Sequence, residues 1–323
     1  MEDNCMKRLL AIGEALIDFI PGETEKPIKS VESFHPSVGG APANVCGAFR
    51  KLGGEAGMIT QLGNDPFGDK ITEEFQTYGI DCAYIKRTDQ ANTSLAFVAL
   101  KEDGNREFSF YRKPGADMLL EPETIKKDWF IDAYALHFCS VSLGDFPMKR
   151  AHERAIAYAK DAGAIISFDI NLRPALWEST EALRQAVLEF LPKADIIKIS
   201  DEELFFVTGK ENIEDALEEL FTGNVRLVIF TKGADGAEAH TKTDKAVSKA
   251  EKVEAIDTTG AGDAFIGSFL YQLYEDGITV NDLDKISMEQ MKRYLDFSNT
   301  YCGKSVLKQG VIASYPDMNE MRS

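Results

Sequence analysis

The stretch Asp257-Thr258-Thr259-Gly260-Ala261-Gly262-Asp263-Ala264-Phe265 decides the fold that we predict for this chain. It joins a predicted short strand, residues 252–256, to a predicted apolar helix at about residues 261–274. The glycines allow backbone N–H groups to converge where the helix begins, and these unpaired donors and the helix dipole favour a bound anion. Asp263 falls in the first helical turn. A carboxylate beside such an anion can accept a proton from a hydroxyl group while the N–H groups stabilise a phosphoryl group in transfer.

The same stretch has a plainer interpretation. Acidic residues in a first turn complement the helix dipole, and a Gly-x-Gly turn can serve geometry alone. The complete string Asp-Thr-Thr-Gly-Ala-Gly-Asp favours a catalytic role over a structural one, because it resembles the C-terminal signature of the ribokinase-like (phosphofructokinase B) carbohydrate kinases. This resemblance implies that Asp263 is the general base for a sugar hydroxyl. It also implies that the amides of Gly260, Ala261 and Gly262 form the anion hole for a γ-phosphate.

Predicted strands and helices alternate along most of the chain. The predicted strands are at residues 8–14, 56–63, 136–141, 164–170, 195–200 and 226–231. The predicted helices are at residues 66–78, 147–162, 179–190, 202–207, 213–221 and 287–307. This pattern predicts an α/β fold with a doubly wound, mostly parallel sheet flanked by helices, which is ribokinase-like under the resemblance. Because no linker or internal repeat divides the chain, residues 1–323 are predicted to form a single domain.

A β-hairpin interrupts this alternation. Residues 93–101 and 107–112 alternate in apolar character and flank the turn signal Asp103-Gly104-Asn105. With residues 22–34 the hairpin would form a small separate sheet, so the predicted lid segments are about 22–35 and 93–117. Such a sheet must cover either an active site or a partner subunit. The resemblance implies both: a lid over the sugar, through which two copies form a homodimer.

The lid also carries candidate sugar-binding residues. The pattern Arg106-Glu107-Phe108-Ser109-Phe110-Tyr111-Arg112, followed by Ala116-Asp117, is most similar to the fructokinase branch of the family. The resemblance implies that Phe97, Phe110 and Arg112 line the sugar pocket. The alternative is that all three are ordinary residues on the faces of a hairpin.

Two stretches near the N-terminus carry further candidate sugar-binding residues. Gly39 and Gly40 precede Ala41-Pro42, which predicts a tight turn into a helix with proline in its first turn. This stretch resembles the family's N-terminal signature, which implies that Gly39, Gly40 and Asn44 contact the sugar and that Gly40 is a hinge for the lid. Asp18 is predicted just past the first strand, where helix-covered sheets bind ligands. The resemblance implies that it holds sugar hydroxyls; otherwise it is a turn or cap residue.

Charged residues at two strand ends are candidates for the phosphate side. Asp169-Ile170-Asn171-Leu172-Arg173 resembles fructokinases and ketodeoxygluconate kinases, which implies that Arg173 stabilises the phosphate in transfer, unless it forms only a surface ion pair. Ser200-Asp201-Glu202-Glu203 occupies the place of the family's Asn-x-x-Glu motif. The match implies that Glu203 holds Mg²⁺ through water. Ser200 replaces the usual asparagine, and three consecutive acids also suit a solvated helix start.

A glycine turn after the strand at residues 226–231 is the candidate nucleotide loop. It matches the family's nucleotide-side loop, which implies that Thr231, Gly233 and Gly236 lie near ATP. The resemblance also places Asn299, on the last predicted helix, beside the adenine. A polar residue on a last helix is otherwise simply solvated.

Composition excludes several classes of function. The chain has 323 residues, 44% apolar and 28% charged, which is ordinary for a globular protein. Its net charge of −17 argues against a general binder of nucleic acid or anionic membranes, but not against one nucleotide held by local donors and a metal. No stretch approaches the ~20 apolar residues of a membrane span, and the acidic N-terminus does not resemble a signal peptide. Five scattered cysteines indicate reduced thiols and a cytoplasmic protein.

These observations predict a sugar kinase that depends on ATP and Mg²⁺, most similar to fructokinases acting on D-fructose. Asp257 and Thr259 fit the monovalent-cation site, for example for K⁺, that the resemblance implies. Two kinases remain as alternatives: a ribokinase-type enzyme and a 2-keto-3-deoxygluconate kinase. The carboxylate substrate of the latter would require Arg106 or Arg112 to face it.

Two alternatives belong to other classes. A sugar- or nucleotide-binding regulator could use the same scaffold, since fold does not fix function, but it has no need of Asp263. A dinucleotide-dependent oxidoreductase is disfavoured, because Phe265 stands where its fingerprint requires a third glycine.

Overall fold

Strands and helices follow the predicted alternation. A computed structural model describes residues 7–23, 26–100 and 106–322, apart from the side chains of residues 100 and 106–108. The strands are β1 (Arg8–Ile12), β2 (Leu16–Pro21), β3 (Phe34–Gly39), β4 (Glu55–Gly63), β5 (Ile85–Thr88), β6 (Leu95–Leu100), β7 (Arg106–Tyr111), β8 (Ala133–Cys139), β9 (Ile165–Asp169), β10 (Ile196–Ser200), β11 (Leu227–Thr231), β12 (Ala237–His240) and β13 (Lys245–Ser248). The helices are α1 (Ala41–Lys51), α2 (Pro66–Thr77), α3 (Pro147–Asp161), α4 (Thr180–Phe190), α5 (Asp201–Thr208), α6 (Ile213–Leu220), α7 (Ala261–Glu275), α8 (Met288–Ser305) and α9 (Met318–Arg322).

The main sheet has nine strands in the order β13-β12-β11-β10-β9-β8-β1-β4-β5. Neighbours from β11 to β5 pair in parallel, and β12 and β13 add antiparallel pairs at one edge. The predicted α/β class with a mostly parallel sheet is therefore confirmed. The sequence analysis did not predict β5, β12 and β13, which are only four residues long.

The parallel strands are buried on both faces. In β1, Leu9 and Ala11 join the core cluster that includes α1, α7 and α8, whereas Leu10 and Ile12 join the cluster on the opposite face with α3 and α4. This double burial is why the strands read as continuous apolar runs rather than as alternating ones. Within the described ranges, no helix is long and apolar enough to cross a membrane.

A second sheet of four strands has the order β3-β2-β6-β7. The predicted hairpin is confirmed as the antiparallel pair β6 and β7, and its turn lies outside the described residues. The prediction that residues 22–34 join this sheet was wrong in its bounds. Strands β2 and β3 flank that segment and pair with each other. The segment between them contains lysine, glutamate and proline, which are depleted in strands.

The strand predicted at residues 252–256 is absent, and the chain there is irregular. The side chains of Val253 and Ile256 are 40% and 63% exposed, so their apolar character does not mark a buried strand. The helix predicted after it is confirmed as α7, which packs on α1. Gly267 permits the close contact, because a Cβ there would lie 2.7 Å from Ala48 Cβ and 3.0 Å from the backbone oxygen of Val45. This packing sets the distance between the first turns of the two helices.

Candidate active site

Asp263 is held at the start of α7 by two asparagine side chains. Asn44 in the first turn of α1 donates from Nδ2 to Asp263 Oδ2 at 2.8 Å. Asn171, which follows β9, donates from Nδ2 to Asp263 Oδ1 at 3.3 Å. All three residues are buried. The predicted position of Asp263, in the first turn of an apolar helix, is therefore confirmed, and it lies where α1, α7 and the end of β9 meet.

Burial dominates the electrostatics of Asp263. The loss of water raises the pKa of its carboxyl group to about 7, the Asn44 hydrogen bond opposes this rise, and repulsion from Asp169 adds to it. Arg173 and Lys198 attract the ionised form and lower the pKa. A pKa near 7 suits a general base, because the group is substantially ionised at neutral pH and still binds a proton strongly.

Glycine shapes the first turn of α7. Gly260 adopts a left-handed conformation with φ of 74°, and a Cβ there would lie 2.7 Å from Tyr315 Oη. Gly262 is exposed, and its N–H group belongs to the first-turn donors that no carbonyl of the helix can reach. The Ala261 N–H group donates to the backbone oxygen of Thr258 at 3.2 Å. Of the predicted anion-hole donors, Gly262 is thus presented to solvent, whereas Ala261 has a partner within the turn.

A buried ion pair lies behind this turn. Lys198 Nζ on β10 is 3.0 Å from both carboxylate oxygens of Asp169 on β9, and the two side chains are 6% and 0% exposed. A Cβ built on Gly262 would lie 3.3 Å from Lys198 Nζ. Burial raises the pKa of Asp169 to about 6 although Lys198 opposes the rise. The sequence analysis missed Lys198; its one signal was a lysine within an otherwise apolar strand.

Asn171 was also missed as a partner of Asp263. Its φ of 43° lies in the left-handed region, which asparagine tolerates better than most residues. Its backbone oxygen accepts a hydrogen bond from Ser140 Oγ at 3.3 Å, which ties this loop to the segment after β8. The signal in the sequence was the Asp-x-Asn-x-Arg pattern, in which we assigned a role only to the arginine.

Arg173 and Glu203 lie on the same side of the site. Arg173 is exposed, donates from Nη1 to the Leu172 backbone oxygen at 2.9 Å, and lowers the pKa of Asp263. Glu203 accepts from the N–H groups of Ser200 at 2.8 Å and Leu172 at 2.9 Å. It therefore caps α5 and ties the loop after β9 to it. In the described parts of the chain, no three or more His, Cys, Asp or Glu residues are grouped to hold a metal ion, so the magnesium role stays a prediction.

The predicted sugar side forms around two glycines. Gly40 is the N-cap of α1 with φ of 118°, and a Cβ there would lie 2.5 Å from the backbone oxygen of Glu14. The Asp18 carboxylate lies against Gly39, where a Cβ would be 2.1 Å from Asp18 Oδ2. The predicted position of Asp18 just past the first strand was wrong. The chain re-enters a strand at once, so Asp18 sits within β2 opposite Ser37.

Strand alternation separates two aromatic residues that we predicted to line one pocket. Asp18, Ala96 and Phe110 are cross-strand partners and therefore share one face of the small sheet. Phe97 follows Ala96 and points to the opposite face, where it stacks on Phe19 with ring centroids 4.6 Å apart. Phe110 thus remains with Asp18. The prediction that Phe97 and Phe110 line one pocket was wrong, because they lie on opposite faces of the sheet.

Arg112 has a partner within the protein. Its Nη2 forms an ion pair with Asp117 Oδ2, its Nε donates to the same oxygen at 2.9 Å, and both side chains are buried. Nη2 also donates to Ser142 Oγ at 3.3 Å, and Ser142 Oγ donates to Glu14 at 2.9 Å. This network links β7 to the ends of β1 and β8. Contact between Arg112 and a sugar stays a prediction.

The predicted nucleotide residues lie at the other edge of the main sheet. Thr231 ends β11, and Gly233 is exposed in the turn that follows. Gly236 is required for packing, because a Cβ there would lie 2.1 Å from the backbone oxygen of Ser248. Asn299 on α8 donates from Nδ2 to Ser248 Oγ at 2.9 Å. Ser248 at the end of β13 therefore contacts both Gly236 and Asn299, which were predicted to lie near ATP.

The predicted monovalent-cation residues lie in the loop before α7. Asp257 accepts from the Thr259 N–H group at 2.9 Å through Oδ1 and from the Gly310 N–H group at 3.2 Å through Oδ2. The carboxylate therefore fixes this loop against the segment after α8. Its role toward a cation stays a prediction.

Comparison with known proteins agrees with this fold. Residues 6–318 match the model of the pfkB family of carbohydrate kinases, and the chain belongs to that family. Among its relatives, fructokinase-1 of Zea mays is 38% identical over 97% of this chain and 96% of its own length. Fructokinase-2 of Solanum lycopersicum is 37% identical over 97% and 94%.

Solved structures of fructokinases have the same fold. A fructokinase from Xylella fastidiosa with bound ATP has a TM-score of 0.90 at 34% identity, covering 98% of this chain and 97% of that one. A fructokinase from Vibrio cholerae O395, bound to fructose, ADP and calcium ion, has a TM-score of 0.85 at 31% identity and covers 98% of both chains.

Proposed function

We propose that this carbohydrate kinase transfers the γ-phosphate of ATP to D-fructose and yields fructose 6-phosphate and ADP. Relatives at 37% and 38% identity over nearly the whole chain are fructokinases, which supports this substrate. The observation that carries the proposal is the buried carboxylate of Asp263 in the first turn of α7, held by two amide groups beside exposed Gly262.

Asp263 supplies the base. The hydroxyl oxygen O6 forms a bond to the γ-phosphorus as the bond to the bridging oxygen of ADP breaks, and the hydroxyl proton passes to Asp263. Asn44 is placed to orient the sugar. Its Oδ1 is buried and has no hydrogen-bond partner among the described residues, so it can accept a hydrogen bond from a sugar hydroxyl.

We expect the triphosphate of ATP to lie between α7 and the Thr231–Gly236 turn. The Gly262 N–H group and the positive end of the α7 dipole favour a phosphate, and exposed Arg173 can reach it from the loop after β9. We expect Thr231, Gly233 and Asn299 to contact the nucleoside.

Metal ions would be held beside this phosphate site. Mg²⁺ binds triphosphate oxygens and usually keeps several waters, so Glu203 need supply only an outer contact from carboxylate oxygens already held by two amides. When bound, Mg²⁺ neutralises phosphate charge. Asp257 and Thr259 are the candidate monovalent-cation residues. Chelation of Mg²⁺ with excess EDTA should abolish turnover, and replacing K⁺ with tetramethylammonium should lower it; unchanged rates would exclude each ion in turn.

The competing kinase specificity is less well supported. A 2-keto-3-deoxygluconate kinase would need a cation facing the substrate carboxylate, and the Arg112 guanidinium group is already paired with Asp117. The side chain of Arg106 lies outside the described residues. A non-catalytic regulator would have no use for a buried ionisable group held by Asn44 and Asn171, since burial of Asp263 destabilises its charged form.

An ADP-release assay over a panel of sugars tests the proposal. We expect the highest kcat/KM with D-fructose, and low values with ribose and 2-keto-3-deoxygluconate. A higher kcat/KM with either of the latter would overturn the fructose assignment. Tight binding of a sugar without ADP release from any member of the panel would favour the regulator.

We further propose that two copies pair through the small sheet and that the protein is cytoplasmic. β7 is an outer strand of that sheet, and Tyr111 on it is 64% exposed, which suits an intermolecular contact. The four described cysteines are free thiols, which suits a reducing compartment. Sedimentation of the wild type and of Tyr111→Glu tests the dimer: the wild type should sediment as a dimer and the variant as a monomer, and a monomeric wild type would contradict the proposal.

A further inference from the structure

Lys198 is a buried cation at the back of the active site, and the chemistry described so far does not use it. Its Nζ is 3.0 Å from both oxygens of Asp169, so two of its three donors are occupied. The missing side chain of Gly262 brings Nζ against the first turn of α7, because a Cβ there would be only 3.3 Å away. The ion pair therefore lies directly behind the turn that carries Asp263.

Several titratable groups face Asp263 from the elements packed around it. They are Asp169 on β9, Lys198 on β10, Arg173 after β9, Cys139 on β8, Cys302 on α8 and Tyr315 after α8. Burial raises the pKa of each of the two thiols and of the tyrosine, so these three are neutral at pH 7. From α1, the facing group is the neutral amide of Asn44. The charge beside Asp263 is therefore set by Asp169, Lys198 and Arg173.

Lys198 differs from Arg173 in its surroundings. Arg173 is exposed, so water and salt screen its attraction for Asp263, whereas the Lys198 side chain is 6% exposed and is screened much less. Lys198 is also faced by Glu203 and by His137, whose pKa falls to about 3 through burial and repulsion from Lys198. His137 is therefore neutral. Without Lys198, Asp169 and Asp263 would be two buried carboxylates with no buried cation between them.

We propose that Lys198 is a positioning residue for the reaction: its ammonium group, held by Asp169 behind Gly262, keeps Asp263 in the ionised form that a base requires. This inference rests on the proposed function of Asp263. It predicts effects of opposite sign for the two members of the ion pair and a cancellation when both are neutralised. A purely structural pair would not produce that pattern.

The test compares Lys198→Met, Asp169→Asn and the double variant by the pH profile of fructose kcat/KM. In Lys198→Met the acidic limb should move to higher pH by about one unit, which lowers kcat/KM about tenfold at pH 6 while the plateau at high pH is partly kept. In Asp169→Asn the limb should move to lower pH. In the double variant it should return to within about 0.3 units of the wild type, and Lys198→Arg should remain close to the wild type.

A second readout needs no substrate. Protein labelled with [4-¹³C]aspartate gives a carboxyl signal for residue 263, identified by its loss in Asp263→Asn, and its titration midpoint should shift in the same order. Arg8→Met is the matched control, because Arg8 forms part-buried ion pairs with Asp81 and Asp132 at the opposite end of the sheet. It should leave the midpoint unchanged.

The outcomes separate this inference from the proposed function. If wild type turns over no fructose but the carboxyl midpoints shift as stated, the positioning role stands and the substrate assignment fails. If fructose turnover is normal but Lys198→Met and the double variant titrate alike, or neither moves the midpoint, the positioning role is overturned. Should Lys198→Met fail to fold, Asp169→Asn and the double variant still decide, because their predicted shifts differ.

Discussion

Replacing Asp263 with asparagine should stabilise the protein while it removes the activity. The pKa of this group rises from the usual 3.8 to about 7 in the folded protein, mainly through burial. Because the native state binds the proton more tightly than the unfolded state, the stability from protonation is complete below pH 3.8 and is lost as the pH rises through 7. Above pH 7, the ionised carboxylate therefore destabilises the native state.

The magnitude follows from the same pKa difference. Roughly three pKa units, at about 1.4 kcal/mol for each, correspond to about 4 kcal/mol at pH 8. An asparagine oxygen can accept from Asn44 or Asn171, but the new amide group then opposes the other donor, which costs about 1 kcal/mol. We expect a net gain of about 3 kcal/mol in the free energy of unfolding at pH 8, shrinking toward zero near pH 4. In the same variant, kcat should fall by about 10² to 10⁴ because the base is lost.

Urea unfolding without substrates at pH 8, 6 and 4.5, combined with ADP-release kinetics, measures both effects. Asp65→Asn is a control of opposite sign: burial opposes ionisation there, but hydrogen bonds from the N–H groups of Thr93, Gly68 and Phe67 lower the pKa of Asp65. It should lower stability at pH 8. An Asp263→Asn protein that is no more stable than wild type at pH 8, or whose advantage is independent of pH, would refute the burial argument. Near wild-type turnover would refute the base.

Three further substitutions test other parts of the site. Gly40→Ala should lower the free energy of unfolding by more than about 2 kcal/mol, because φ is 118° and a backbone oxygen would lie 2.5 Å from the new Cβ. In the control Gly163→Ala no atom lies within 4 Å of the new Cβ, and the cost should be only about 1 kcal/mol. Arg112→Met leaves Asp117 buried without its cationic partner and should lower the free energy of unfolding by about 3 kcal/mol or more in urea unfolding. Asp117→Asn on the same chain should restore a large part of it. Asn44→Leu should raise the fructose KM about tenfold or more and leave the ATP KM within about twofold, because it removes the unpaired Oδ1 and the donor to Asp263. Equal changes in both KM values would contradict the sugar-side assignment.

Features coded by neighbouring residues could be predicted from the sequence. The turn at Gly40 and Pro42 was read from a few consecutive residues, and the structure has it where expected. The position of Asp263 in the first turn of α7 followed in the same way. Each depends on backbone conformation within one turn, which local residue types largely determine.

Features that depend on pairing between distant segments were missed or misplaced. Lys198 looks anomalous in an apolar strand until β9 supplies Asp169, 29 residues earlier in the chain. Phe97 was placed with Phe110 because both belong to the predicted lid, but the register of β6 and β7 puts them on opposite faces of the sheet. Residues 252–256 are apolar enough for a strand, yet no strand of the described chain pairs with them. The Ile256 N–H group donates to the Val306 backbone oxygen at 2.8 Å. Register and partner choice are set by tertiary packing, which a single sequence does not display.

The site can be understood as a consequence of how closely α1 approaches α7. Gly267 allows that approach, and it brings Asn44 to 2.8 Å from the Asp263 carboxylate while excluding water from it. The same burial that raises the pKa to about 7 would, without donors, leave the carboxylate protonated and useless as a base at neutral pH. Asn44, Asn171 and the Lys198 ammonium group each favour the charged form, so they oppose the effect of burial, whereas Asp169 adds to it. The pKa of Asp263 is thus a balance between helix packing that excludes water and polar partners that replace it. Because burial is the larger of the two effects, a change that loosens the α1–α7 contact and admits water should lower that pKa, although it also weakens the Asn44 hydrogen bond.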